Sequence, residues 1–173
     1  MLRRQQAAYF WVFLFAGILL LGGCEKDDIC VDGDTPLFVI GFFDVTDTEQ
    51  TTEKDVSSLR IREINREDFP PSFTDRSTTD SVALPLPTNS ATVTYILISN
   101  SATTDEVETG NIDTLDVTYT LSQRFVSRAC GFVAVYDDIS VSVRPDADNW
   151  IQDLVLIDTL VQFNNRIHLK ALH

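Results

Sequence analysis

Apolar residues in this chain fall in short segments separated by polar turns, and Val, Ile, Thr and aromatic residues dominate them. That grain predicts strands. Leu37–Phe43 (LFVIGFF) contains no polar position and reads as a buried strand, as does Thr92–Ser99 (TVTYILIS). Leu59 and Ile61 alternate with Arg60 and Arg62, giving one dry face and one wet face. The clearest alternation sets Leu115, Val117, Tyr119 and Leu121 against Asp116, Thr118 and Thr120. Cys130–Tyr136 and Ile139–Val143 flank Asp137-Asp138, which predicts a hairpin turn there. Ile167, Leu169 and Ala171 line one side of a last strand. Trp150–Phe163 is ambiguous: Trp150, Leu154, Ile157 and Val161 have helical spacing, whereas the run Leu154–Ile157 suits a strand, and strand is the reading adopted. Loops are expected at Thr46–Lys54, Pro70–Ser81, Pro85–Ser90 and Asn100–Asn111. About seven to nine strands of this kind predict an all-β fold, a single antiparallel β-sandwich of immunoglobulin-like proportions, whose strand order the pattern does not reveal. The tetrapeptide Ile-Asp-Thr-Leu occurs at 112–115 and 157–160, too short to establish a repeat.

The first residues obey a different pattern. After the basic pair Arg3-Arg4, Ala7–Leu21 is an uncharged apolar run. A helix needs about 20 apolar residues to span a bilayer, so this run suits the apolar region of a signal peptide. Leu21-Gly22-Gly23-Cys24 follows, small side chains directly before a cysteine. It resembles the lipobox of bacterial lipoproteins, which implies cleavage before Cys24 and attachment of lipid to its thiol. An uncleaved membrane helix is the competing reading, and either one puts the domain outside the cytoplasm. The expected organisation is a signal peptide over 1–23, a lipidated tether over 24–29 and a β-sandwich domain over 30–173. Cys24-Glu25-Lys26-Asp27-Asp28 resembles the lipoprotein export signal of Bacteroidota. That resemblance implies the outer membrane, with the cell surface favoured over the periplasmic face.

Charge and cysteine count then narrow the compartment and the partners. Net charge is −13, and loss of Arg3 and Arg4 with the leader makes the mature chain two units more negative. Such a balance argues against nucleic acid and against anionic lipid surfaces as partners. Three cysteines are an odd count for an exported protein. Lipidation of Cys24 leaves Cys30 and Cys130, a pair expected to be oxidised outside the cytoplasm, with two buried free thiols as the alternative. A bridge between them closes a loop of about 100 residues, contributing on the order of 4–5 kcal/mol in the chain-entropy model.

Candidate chemistry adds little. No Gly-rich phosphate loop, nucleophile elbow, HExxH or CxxC is present. His168 alternates with Ile167 and Leu169 and is expected to be half-exposed, and His173, the last residue, to fray. The acidic pairs Asp32/Asp34, Asp137/Asp138 and Asp146/Asp148 offer oxygen ligands for a hard cation, but Asp146-Ala147-Asp148-Asn149 lacks the glycine and distal glutamate of an EF-hand, and turn chemistry explains the acids more simply. Phe69-Pro70-Pro71-Ser72-Phe73 sets two aromatics around a stiff proline pair, expected to fold back over the end of the domain rather than to form a binding edge. Asp80-Ser81-Val82, Asp113-Thr114-Leu115 and Asp158-Thr159-Leu160 resemble the O-glycosylation acceptor motif of Bacteroidota, which makes Ser81, Thr114 and Thr159 candidate glycan sites and Ser81, in an expected loop, the best of them.

The mature chain also resembles a family of short Bacteroidota lipoproteins defined only as a domain of unknown function. The resemblance rests on Cys30 with Thr35-Pro36, on Phe125–Phe132 with its Ala-Cys-Gly-Phe centre, on Asp148-Asn149-Trp150-Ile151 and on His168. It implies an envelope lipoprotein, strengthens the Cys30–Cys130 pairing and carries over no catalytic residue. The expectation is therefore a non-enzymatic module, held to the membrane by its N-terminal lipid, that binds or scaffolds an envelope protein or glycan. No catalytic, cofactor-binding or metal-binding residue is expected. An envelope hydrolase using loop carboxylates and a calcium- or glycan-binding module are the alternatives.

Overall fold

The computed structural model describes residue 30, residues 34–66 and residues 68–173. The leader, Cys24, the tether and Asp32 lie outside the described residues. The described residues form nine strands and no helix: β1 (Leu37–Phe43), β2 (Val56–Glu63), β3 (Ser77–Thr79), β4 (Ser81–Pro85), β5 (Thr92–Thr104), β6 (Val107–Ser127), β7 (Gly131–Val143), β8 (Asp153–Leu156) and β9 (Leu169–Leu172). They make a four-stranded sheet in the order β4-β1-β9-β8 and a five-stranded sheet in the order β3-β2-β5-β6-β7. Both sheets contribute to one apolar core. Phe38, Ile40, Phe42, Leu84 and Leu169 come from the first, and Leu59, Ile61, Leu97, Leu115, Val117 and Tyr136 from the second. Leu59, Ile61, Leu115 and Val117 are positions at which apolar residues alternate with polar ones, and Phe38, Ile40, Phe42 and Leu97 lie in the runs read as buried strands.

The expected purely antiparallel arrangement is corrected at one place. β1 and β9 run parallel, with Ile40 opposite Leu169 and Phe43 opposite Leu172, so the four-stranded sheet is mixed. Burial on both sides of β1 suits it to the middle of a sheet, and neither its composition nor that of β9 encodes the direction of its partner. The connections on either side are also re-drawn. Asn100–Asn111 is a β-hairpin rather than a loop: β5 and β6 continue past the core and turn at Asp105-Glu106, both at positive φ (52° and 65°), as a two-residue hairpin turn requires. Gly110 (φ 133°) lies in this stretch, where the register shifts between Ser99 and Ala102. A Cβ on Gly110 would stand 2.7 Å from both Ile98 and the Ser99 carbonyl. Asp137-Asp138 is not a turn. β7 runs through it, and Asp138 (φ 53°) sits opposite a register shift between Thr118 and Thr120, a bulge that re-aims the strand. The β6–β7 turn comes instead at residues 128–130, where the Cys130 N–H donates to Ser127 Oγ (3.1 Å).

Within Trp150–Phe163 only Asp153–Leu156 is a strand. Val161 exchanges a pair of backbone hydrogen bonds with Tyr136 (3.1 and 2.8 Å), while Ile157 and Phe163 are exposed. β3 and β4 occupy part of the expected loop Pro70–Ser81. The bridge between Cys30 and Cys130 is formed, with Cα atoms 4.8 Å apart.

Candidate functional site

Three adjacent strands each place a tyrosine near the same end of the core. Tyr95 on β5, Tyr119 on β6 and Tyr136 on β7 are all buried, and their hydroxyls donate to three consecutive carbonyls of Pro85-Leu86-Pro87. Tyr136 reaches Leu86 (2.6 Å), Tyr119 reaches Pro87 (2.7 Å) and Tyr95 reaches Pro85. Burial holds each phenol in its neutral, donating form. It pushes Tyr119 up to about 12 and raises Tyr95 and Tyr136 as well, with the Glu63 carboxylate adding to the effect on Tyr95. The prolines have no N–H to spend on a ladder, so the tyrosines are what fix this segment.

The fixed segment forms one wall of an open groove of about 890 Å³. Residues 63–66 and 68–71 form the other, with Glu63, Asn65, Arg66 and Asp68 presenting polar groups beside Phe69, Pro70 and Pro71. Thr88, Asn89 and Ser90 add hydroxyl and amide groups on the near side. The Arg60 guanidinium lies over the Phe69 ring of this wall at 4.7 Å and pairs with Asp75 and Glu108 (3.1 and 2.5 Å). Phe73 is half-buried and packs on the core, as expected of a ring that folds back over the domain, whereas half-buried Phe69 lies under Arg60 and lines the groove. The groove can accept and donate hydrogen bonds along its length and holds neither histidine nor cysteine.

The histidines lie elsewhere, and both sequence expectations for them are corrected. His168 is fully buried rather than half-exposed, because it immediately precedes β9 and is outside its pleat. Its Nδ1 accepts the Val39 N–H (3.0 Å), its ring stacks on Phe38, and burial lowers its pKa, so it is a neutral core residue. His173 does not fray. Its N–H donates to the Phe43 carbonyl (3.0 Å) and its ring packs edge-on against Phe42 and Trp150.

The acids are consumed by local structure. Asp47 accepts the N–H groups of Glu49, Thr51 and Thr52 (3.0, 2.9 and 2.8 Å), which holds its carboxyl well below the ordinary range. Asp146 accepts the Asp148 N–H (3.0 Å), and the Asn149 amide turns inward to donate to Asp113 (3.0 Å), so this segment is a turn. Among the described residues, no three His, Cys, Asp or Glu side chains gather into a set that could hold a metal. Asp113 was unmarked in the pattern except as part of a glycosylation motif. It is fully buried, and burial raises its pKa against the bonds it accepts from the N–H groups of Ile151 and Trp150 (2.7 and 3.3 Å) and from Asn149. A carboxylate so enclosed organises the 149–151 turn and cannot reach a substrate.

The three candidate glycan acceptors are not brought together. Ser81 opens β4 rather than lying in a loop, though its side chain is exposed and donates to Asp80 (2.9 Å). Thr159 is exposed on the irregular segment after β8, and Thr114 is half-buried in mid-β6. The clamp and the groove escaped the sequence reading because their parts lie on β2, β4, β5, β6 and β7. The only local sign was Pro-Leu-Pro beside a loop.

No curated protein and no solved structure matches the chain. A family model does, described as a family of unknown function (DUF6452), over residues 58–173. The match takes in the β2–β9 sequence, with the Ala-Cys-Gly-Phe turn, Trp150 and His168, and begins after Cys30 and Thr35-Pro36. The chain therefore belongs to DUF6452, a family of unknown function.

Proposed function

We propose that this protein is an exported lipoprotein, cleaved before Cys24 and lipidated there, whose β-sandwich binds an envelope component without transforming it. The groove lined by residues 63–66 and 68–71 on one side and by residues 85–95 on the other is the observation that carries the binding role. Three tyrosine hydroxyls bond to one wall and Arg60 stacks on Phe69 of the other, which supports a groove shaped ahead of its ligand. A preorganised groove of mixed polar and aromatic lining suits an extended polar ligand, a glycan strand or a peptide segment of an envelope protein. The apolar leader ending in Leu-Gly-Gly-Cys, the acidic and lysine-containing tether and the Cys30–Cys130 bridge support the export, the lipid anchor and an oxidising compartment at the outer membrane. Its placement at the cell surface rests on the tether sequence, and Ser81 and Thr159 are the glycan acceptors with exposed side chains.

Two measurements test this reading. The intact mass of the mature protein is expected to start at Cys24, carry acyl chains and lack two hydrogens for the bridge. A mass starting at Met1 without lipid overturns the anchor. Pull-down from solubilised outer membrane is expected to recover the same partner or glycan with the native protein and to lose it with Asp68→Ala/Asn89→Ala. Equal recovery by both proteins overturns the groove as the binding surface.

A further inference from the structure

β6 and β7 outrun the core at the end where they meet. On the core side of this hairpin, Tyr119, Tyr136 and Ala134 pack inward. The same face then continues into Leu121, Phe125 and Phe132, which are 38%, 54% and 65% exposed. Phe125 and Phe132 are cross-strand partners with rings edge to face at 5.4 Å. On the other face of the hairpin, Arg124, the cross-strand partner of Val133, lies with Arg166 over the exposed ring of Phe163 (5.9 and 5.5 Å). Charge reverses here as well: Leu121–Phe132 carries Arg124 and Arg128 and no acid, in a chain whose net charge is −13. Aromatic rings beside arginines, exposed at one point of an acidic protein, match the headgroup layer of a bilayer, where rings sit at the polar–apolar boundary and guanidinium groups meet phosphates.

The covalent path identifies which surface this is. Cys130, in the turn of the hairpin, is bonded to Cys30. Cys30 is six residues from Cys24, and six residues reach at most about 20 Å. Phe132 is two residues from Cys130. We propose that the β6–β7 tip seats Phe125 and Phe132 in the headgroup region of the leaflet that holds the Cys24 lipid, with Arg124 and Arg128 on its phosphates. The inference rests on the lipid-anchor reading. The rest of the acidic domain is repelled by an anionic surface, so the basic tip gives the anchored protein one orientation.

The test uses the protein purified from membranes, its acylation established by intact mass, in vesicles of phospholipid with brominated acyl chains. Phe132→Trp reports at the tip, and Val107→Trp, at the opposite hairpin, reports far from it; Trp150 supplies a common background. The expected result is roughly twofold quenching of the emission added by Phe132→Trp, with a blue shift, and none for Val107→Trp. An acylated protein whose Phe132→Trp emission is unquenched overturns the seating and leaves the anchor standing. Equal quenching at both positions also overturns it, because the domain would then lie flat. A protein without acyl chains overturns the anchor and the seating together.

Discussion

His168 shows how a single residue escapes a period-two reading. Alternation with Ile167 and Leu169 assigns it to the wet side, yet it precedes the pleated part of β9 and its ring lies in the core on Phe38. Because Nδ1 accepts from Val39, the ring proton resides on Nε2, which has no partner. Burial lowers the pKa of His168, and of His173 in the same way, below the ordinary imidazole value of about 6.5. The unfolded chain therefore binds more protons than the folded one as pH falls through about 6.5. The stability these groups contribute is present above that pH and is lost between it and their lower folded values. Urea midpoints are expected to fall from pH 7.5 to pH 5.5, with less of a fall in His168→Phe. At pH 7.5 the same substitution leaves the Val39 N–H without an acceptor, at a cost of about 1–3 kcal/mol. Asp113 is a second residue whose place the pattern conceals, since it follows the Leu115–Val117 parity inward although it is an acid. Asp113→Ala removes the acceptor of three donors, two of them backbone N–H groups of the 149–151 turn. It is expected to cost about 3 kcal/mol or more in chemical denaturation.

At the scale of elements, strands that cover the core were legible and those that outrun it were not. β1, β2 and the central parts of β5 and β6 alternate, or stay apolar, because one or both faces are buried. The far ends of β5 and β6 are polar on both faces, so nothing in their hydrophobicity separates them from a loop; the turn is set by the positive φ of Asp105 and Glu106. The tyrosine clamp was illegible for a different reason: it needs three strands in register before its hydroxyls converge on one segment. Tyr136→Phe keeps the buried ring and deletes one bond to Leu86, which is expected to cost about 1 kcal/mol. Its sharper effect is expected in the groove wall, as faster hydrogen exchange of the Tyr119 N–H, which donates to Ala91 just past the segment (3.0 Å), and weaker capture of the partner. Unchanged exchange there would mean that packing alone holds the segment.

At the scale of the whole molecule, the lipid-anchor proposal gives the bridge a second role, that of joining the groove to the membrane. Thr92, at the lip of the groove, pairs with Thr118 on β6, and Ser127 ends that strand nine residues later. At the rise of an extended strand this sets the groove about 30 Å from the hairpin tip, with the Asp105-Glu106 hairpin pointing the other way. On the lipid-anchor proposal, a ligand in the groove would lie about that far from the leaflet that carries the anchor. On that reading Cys30–Cys130 keeps the distance short, because among the described residues the first strand after Cys30 is β1, beginning at Leu37. Cys30→Ser/Cys130→Ser is expected to lower stability by about 4–5 kcal/mol in the chain-entropy model, measured as the difference in urea unfolding from the oxidised protein. The expected second effect is on position. Where the fold survives, judged by its far-ultraviolet spectrum, the bromolipid quenching of Phe132→Trp should weaken in the bridgeless protein while acylation is unchanged. Loss of stability with quenching intact would show that the aromatic tip finds the bilayer by its own chemistry and that the bridge serves the fold alone.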